Sequence, residues 1–139
     1  MKKIRVGVIG LGFIGKQHVE ALRRLPYIEI VAGSDSNLSM REWCEKNGIQ
    51  KYYSDYKEML TNENMDVVHN CTPNNFHYEV SCEILKTGCH VYSEKPLTIK
   101  SVEGESLIEL ADKKGLKTAV NFNYRNNLMV QEIQQRIQN

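Results

Sequence analysis

Three short segments carry residue types whose spacing suits one kind of chemistry. The first, Gly10-Leu11-Gly12-Phe13-Ile14-Gly15, follows directly on the apolar, β-branched run Ile4–Ile9. Gly10 permits a tight turn, Gly12 has no Cβ and lets an anion approach the main chain, and Gly15 lets a following helix pack closely on the strand. The N–H groups of Phe13 and Ile14, at the positive end of that helix, then suit a pair of phosphates. The second is Asp35, twenty residues past Gly15 at the end of the strand-like run Ile28–Ser34. Its carboxylate can accept from both hydroxyls of a ribose, with Ser36 beside it. The third, Glu94-Lys95-Pro96, ends the run His90–Ser93. An ammonium there can polarise a carbonyl or stabilise an alkoxide. Together they describe a pyrophosphate cradle, a ribose hook and a lysine within reach of a nicotinamide ring. The cofactor expected is NAD. NADP is the second choice: Asp35 would repel a 2′-phosphate, although Ser34, Ser36 and Asn37 are neutral donors that can partly accommodate one.

These positions require a sheet that brings strand ends to one edge, and the rest of the chain supplies it. Helical spacing runs over Phe13–Leu25 and stops at Pro26. Further helices are expected over Ser36–Asn47, from a cap at Asp55 through Leu60, over Asn75–Thr87 and over Ser101–Lys114, three of them followed by a glycine. Strands are expected at Tyr52–Tyr53, Asp66–Cys71 and Thr118–Phe122. The tail from Asn126 has helical spacing again in Leu128, Val130, Ile133 and Ile137. Strand–helix alternation with short connections predicts an α/β fold, a doubly wound parallel sheet of the Rossmann kind. Ligands then bind at the carboxyl ends of the strands, where the three segments and Thr72-Pro73-Asn74 fall.

The chain has 139 residues, enough for one domain and one sizeable core. Its net charge of +1 favours neither nucleic acid nor an anionic membrane. No apolar run reaches the ~18 residues a membrane helix needs, and the basic start Lys2-Lys3 is followed by a run broken by Arg5 and glycines rather than by a signal sequence. Cys44, Cys71, Cys82 and Cys89 form no C-x-x-C pair, and no histidine pair has zinc spacing. Buried free thiols in a reducing cytoplasm, with no metal, are the expectation.

At Cys71-Thr72-Pro73-Asn74-Asn75-Phe76-His77 and at Gly88-Cys89-His90-Val91-Tyr92-Ser93-Glu94-Lys95-Pro96 the sequence resembles the glucose–fructose oxidoreductase/inositol dehydrogenase family (Gfo/Idh/MocA). The resemblance runs from the glycine loop to Asn121-Phe122-Asn123-Tyr124-Arg125. It implies NAD(P)-dependent oxidation or reduction of a sugar, cyclitol or related alcohol or carbonyl. It implies that Lys95 lies beside nicotinamide and substrate and is catalytic, that Pro96 follows a cis peptide, and that Thr72, Pro73 and His77 line the cofactor, with Cys71, Asn74, Glu94 and Asn123 in the same set. In that family a second α/β domain carries the substrate site, the main proton-transferring pair and the contacts of a homo-oligomer. The expected division is therefore a cofactor domain over residues 1–125, then residues 126–139 as the start of a connecting helix toward a domain this chain lacks.

Other readings compete. Asp35 can be a helix N-cap, a role open also to Ser36. His77 can begin a helix rather than touch cofactor, and Glu94 can pair with Lys95 or meet the nicotinamide ribose. His18, one turn into the first helix, lies close to the cleft or is instead packed or solvent-facing, and His69 reads as structural. Arg125 matches a family arginine that helps fix the cleft wall. A stand-alone nucleotide-binding or redox-sensing module without catalysis is the alternative to a dehydrogenase. Lys95 within Glu-Lys-Pro argues against coenzyme A or S-adenosylmethionine.

Overall fold

The computed structural model describes residues 2–138. Six parallel strands form one sheet: β1 (Ile4–Ile9), β2 (Ile28–Ser34), β3 (Tyr52–Tyr53), β4 (Val67–Asn70), β5 (His90–Ser93) and β6 (Thr118–Val120). Their order is β3-β2-β1-β4-β5-β6. The chain thus winds outward from β1 in one direction, returns, and winds outward in the other. The reversal lies between β1 and β4, paired in register from Val6 opposite Val67 to Ile9 opposite Asn70.

Alternation along the strands sorts side chains to two faces. Val6 and Val8 join Leu11 and the helix α1 (Phe13–Arg23) residues Val19 and Leu22 on one face. Cys44 of α2 (Met40–Lys46) completes that cluster. Ile9, Val68 and Val91 point to the other face. There they meet Met59 and Leu60 of α3 (Tyr56–Asn62), Val80 and Ile84 of α4 (His77–Lys86), and Leu107 and Ala111 of α5 (Ser101–Lys113). The last helix, α6 (Leu128–Gln138), has no buried residue and leaves Leu128, Met129, Ile133 and Ile137 exposed.

Most elements fall where the apolar spacing puts them, and the differences have local causes. The second helix begins at Met40, not at Ser36. Short polar side chains hold the intervening turn: Asp35 accepts from the Asn37 N–H at 2.8 Å, and Asn37 accepts from the Ser39 N–H at 3.1 Å. Such Asx turns compete with helix for the same N–H groups. Helix α4 begins at His77, after a 3₁₀ turn over Asn74–Phe76. Asp55 caps α3 as expected, accepting from the Lys57 N–H at 2.8 Å.

Ile84 is fully buried where α4 meets the sheet. Ile84→Ala should lower unfolding free energy by about 2–5 kcal/mol, the lost transfer energy plus a residual cavity. Urea denaturation followed by circular dichroism measures it, with secondary structure retained before the transition.

Candidate functional site

The glycine loop is shaped by main-chain contacts that leave no room for side chains. Gly10 has φ of +86°, and a Cβ on it would lie 2.5 Å from the Cys71 carbonyl oxygen. A Cβ on Gly15 would collide with the carbonyl of Gly10. At Gly12 the reverse holds: an added Cβ meets nothing within 4 Å. The space over Gly12 is open, as an anion resting on the main chain requires. Helix α1 starts there with no side-chain cap and no acidic residue in its first turn. Its leading N–H groups and the positive end of its dipole face that open space.

The loop opens on a cavity of about 700 Å³. Gly10, Gly12, Phe13 and Ile14 form one wall, Asp35 and Ser36 a second, and Cys71, Thr72 and Pro73 a third. Asp35 is fixed on both oxygens: Oδ2 accepts from the Leu11 N–H at 2.7 Å, and Oδ1 accepts from the Asn37 N–H at 2.8 Å. It is not a helix cap, since the N-cap position of α2 is Ser39. Each oxygen has a second lone pair for a ribose hydroxyl. The Tyr52 hydroxyl donates to the Asp35 carbonyl at 2.5 Å, and the Arg41 guanidinium lies 5.3 Å from the Tyr52 ring centre. Burial, with Glu94 nearby, pushes the Cys71 thiol up, and burial with Glu79 pushes Tyr56 on the cavity wall up to about 12. Both therefore stay neutral.

Seven of the expected site residues lie outside the walls of this cavity. Gly15 is one, acting through packing. Asn74 sits in the 3₁₀ turn, exposed, and Asn123 lies in a second 3₁₀ turn (Asn123–Asn126), also exposed. His77 is 1% exposed and is not among the residues that line the cavity. Nδ1 lies 2.6 Å from the Pro96 carbonyl oxygen and Nε2 lies 2.8 Å from that of Thr72. Both ring nitrogens thus face main-chain carbonyls behind the cleft wall.

Glu94, Lys95 and Pro96 follow β5 at the same carboxyl edge. Lys95 is exposed and its peptide with Pro96 is cis. Glu94 is buried and does not pair with the Lys95 ammonium. Its Oε1 is 2.8 Å from His18 Nε2 and accepts from Asn121 Nδ2 at 2.6 Å, while Oε2 accepts from the Lys95 main-chain N–H at 3.3 Å. Burial opposes its charge, but the hydrogen bonds from Asn121, His18 and Lys95 prevail and hold the carboxyl below the usual glutamate range. His18 is thus packed, and its Nδ1 lies 2.8 Å from Nδ1 of His69. The His69 ring stacks on Tyr92 at 4.7 Å, and the Tyr92 hydroxyl donates to Asn121 at 3.0 Å. Burial, helped by the His18 ring, pushes His69 down to about 3.

Sequence reasoning overlooked two residues. Asn121 had passed only as part of a longer motif. Asn70, fully buried at the end of β4, donates from Nδ2 to the His77 carbonyl and the Ser81 hydroxyl, both at 3.0 Å, and accepts on Oδ1 from the Thr72 hydroxyl at 2.7 Å. A polar residue closing a strand that begins Val67-Val68, directly before the Cys71-Thr72-Pro73 turn, was the available signal for Asn70. Among the described residues, no group of three or more His, Cys, Asp or Glu is placed to hold a metal ion.

A glycine loop with an open approach, an uncapped helix start and a fixed acid at the next strand end define a doubly wound dinucleotide-binding domain. The chain belongs to the GFO_IDH_MocA oxidoreductase family, whose NAD-binding Rossmann fold matches residues 4–122. It is 33% identical over 137 residues to the myo-inositol 2-dehydrogenase of Thermotoga maritima, covering 98% of this chain and 41% of that protein. It is 34% identical over 138 residues to the D-glucoside 3-dehydrogenase of Escherichia coli, covering 98% of this chain and 39% of that one. The WlbA dehydrogenase of Bordetella pertussis, solved in complex with NADH and UDP-GlcNAcA, matches at a TM-score of 0.91 and 28% identity over 99% of this chain and 42% of its own. The chain thus spans about two fifths of the length of these relatives.

Two predictions follow from this geometry. Gly12→Val should fold normally, because the added side chain meets open space, yet lose dinucleotide binding. Gly15→Ala should instead lose about 1–3 kcal/mol of stability or more, because its Cβ meets backbone. Circular dichroism melts paired with a binding titration separate the two. The second prediction concerns pH. The folded state holds His69 at about 3, against an unfolded value of 6.5. Its contribution is complete above pH 6.5 and drains away as pH falls toward 3, at up to ~1.4 kcal/mol per pH unit. Urea midpoints should fall between pH 6.5 and 5, above the range where carboxylates titrate, and His69→Gln should flatten that slope.

Proposed function

We propose that this chain is the NAD-binding domain of a nicotinamide-dependent dehydrogenase acting on a sugar, cyclitol or related alcohol or carbonyl. The observation that carries the reading is the pairing, on one cavity, of open main chain at Gly12 with the fixed carboxylate of Asp35. The glycine loop and the first turn of α1 hold the pyrophosphate, and Asp35 takes the adenosine ribose with Ser36 beside it. Cys71, Thr72 and Pro73 form the opposite wall. The fixed negative charge of Asp35 supports NAD over NADP. When bound, the nicotinamide supplies the two-electron acceptor or donor. Lys95, exposed just past β5, is the chain's own group for polarising the reacting oxygen, and Glu94 orients the peptide that carries it. Residues 1–125 constitute the cofactor domain, and residues 126–139 begin a helix leading to a second α/β domain that completes the substrate site and the contacts of a homo-oligomer. The named activities of the relatives support the sugar or cyclitol class.

Calorimetric titration of this chain with NAD and with NADP tests the cofactor assignment. NAD should bind more tightly than NADP. Asp35→Ala should weaken NAD by about 1.5–3 kcal/mol for each charged hydrogen bond lost and narrow the preference over NADP. No binding of either at millimolar concentration would remove the assignment. In the natural protein carrying this chain, Lys95→Met should lower turnover on a sugar and cyclitol panel more than tenfold with NAD affinity retained. Unchanged turnover would take Lys95 out of the reaction. Activity in no version of the protein would favour a binding or sensing module instead.

A further inference from the structure

We propose that His77 is a positioning residue that couples the cofactor wall to the lysine loop. Its imidazole bridges the strand ends of β4 and β5, so that a ligand seated against Thr72 and Pro73 adjusts the placement of Lys95. The inference rests on the dinucleotide reading of the cavity.

The geometry is specific. The ring is 1% exposed and touches one carbonyl from each loop, Thr72 at 2.8 Å and Pro96 at 2.6 Å. Thr72 and Pro73 line the cavity, and Pro96 directly follows Lys95. No other side chain in the described residues hydrogen-bonds to both loops. A ring that only filled space beneath a helix start would do better as an apolar side chain, because burying a polar ring costs free energy unless its nitrogens find partners. Each ring nitrogen here lies within hydrogen-bond distance of a cleft-forming main-chain carbonyl; a neutral ring donates to one of them and an imidazolium to both.

The residues around the ring make it a stiff link. Asn70 holds the His77 carbonyl from one side and Thr72 from the other. The Glu94 N–H donates to the Asn70 carbonyl at 2.9 Å, fastening the ends of β4 and β5 together. Glu94 is held in turn by His18 and Asn121. Lys95 is therefore flanked by two anchored neighbours: the Glu94 side chain on one face of the sheet, and the Pro96 carbonyl on the other. Asn70 also reaches the wall, through Thr72, and takes the Glu94 N–H on its main-chain carbonyl; His77 is the side chain that runs from the Thr72 carbonyl to the Pro96 carbonyl. A helix-start role alone would need no contact with Pro96.

The test uses this chain, isotopically labelled for NMR, with ADP as the probe. ADP carries the adenosine and pyrophosphate but no nicotinamide, so it cannot touch Lys95 by way of that ring. In the wild type, saturating ADP should shift the amide signals of Gly12 and Asn37 directly, and those of Lys95 and Leu97 through the bridge. In His77→Leu the Gly12 and Asn37 shifts should remain, while the Lys95 and Leu97 shifts fall to less than a third. Equal Lys95 and Leu97 shifts in the variant would overturn the coupling. Absent shifts at Gly12 and Asn37 in the wild type would instead overturn the dinucleotide reading itself. A second measurement needs no variant. In the wild type, labelled on its histidines, a His77 ring N–H proton should exchange with solvent at least a hundredfold more slowly than that of an exposed histidine. Exchange at the exposed rate would show that the bridge does not hold, and would overturn the proposal even if His77→Leu failed to fold.

Discussion

The carboxyl edge of this sheet depends on one close approach, the passage of the Gly10 main chain between its neighbours. With φ at +86° and the Cys71 carbonyl 2.5 Å from where a Cβ would sit, the chain leaves β1 against the end of β4. Gly15 then lets α1 fold back onto the Gly10 carbonyl. That turn aims the helix start at the cleft and brings the Leu11 N–H to Asp35. A side chain at Gly15 would push α1 off the loop, and one at Gly10 would push the loop off the end of β4. The cradle and its link to the acid beside it both follow from the same absence of atoms.

The two acids of the edge show how a cleft keeps charge in place. Asp35 and Glu94 each accept hydrogen bonds on both carboxylate oxygens from within the chain. Asp35 stays at the cavity wall with lone pairs to spare, a fixed negative point beside the space for a ribose. Glu94 is turned inward and spent on His18, Asn121 and the Lys95 peptide. The ends of β2 and β5, on the same edge with β1 and β4 between them, thus carry two carboxylates with opposite tasks: one faces the cavity, the other orders a loop. The cluster of His18, His69, Tyr92 and Asn121 behind Glu94 ties α1 to β4, β5 and the residue just past β6, and its polar side chains satisfy one another. Among the described residues no buried side-chain nitrogen or oxygen lacks a partner.

Much of this was legible in the residues themselves. Glycine spacing after a β-branched run, an acid at the end of the next run and Glu-Lys-Pro after another specify chain geometry over a few residues, and local geometry is what sequence encodes directly. Apolar periodicity placed all six strands and the helices between them, because each element must bury one face. The first turn of the second helix was lost to two Asx turns, a competition between side chain and main chain that periodicity does not register. Fates of single polar side chains were the hardest to read. Whether His77 meets a ligand or a carbonyl, and whether Glu94 faces Lys95 or His18, turns on residues far apart in sequence: Pro96 lies nineteen positions from His77, and His18 lies seventy-six from Glu94.

The sequence by itself therefore determined the doubly wound sheet, the glycine cradle, the position of Asp35 and the strand end that carries Lys95. Each follows from conformational freedom, burial or spacing within a short stretch. Only the tertiary structure decided that His77 stands behind the cleft rather than in it, that Glu94 is an internal anchor, that Asn70 and Asn121 are its supports, and that Asn74 and Asn123 lie away from the cavity. Those outcomes depend on which strand ends become neighbours, and on buried donors and acceptors each having to find a partner across the sheet.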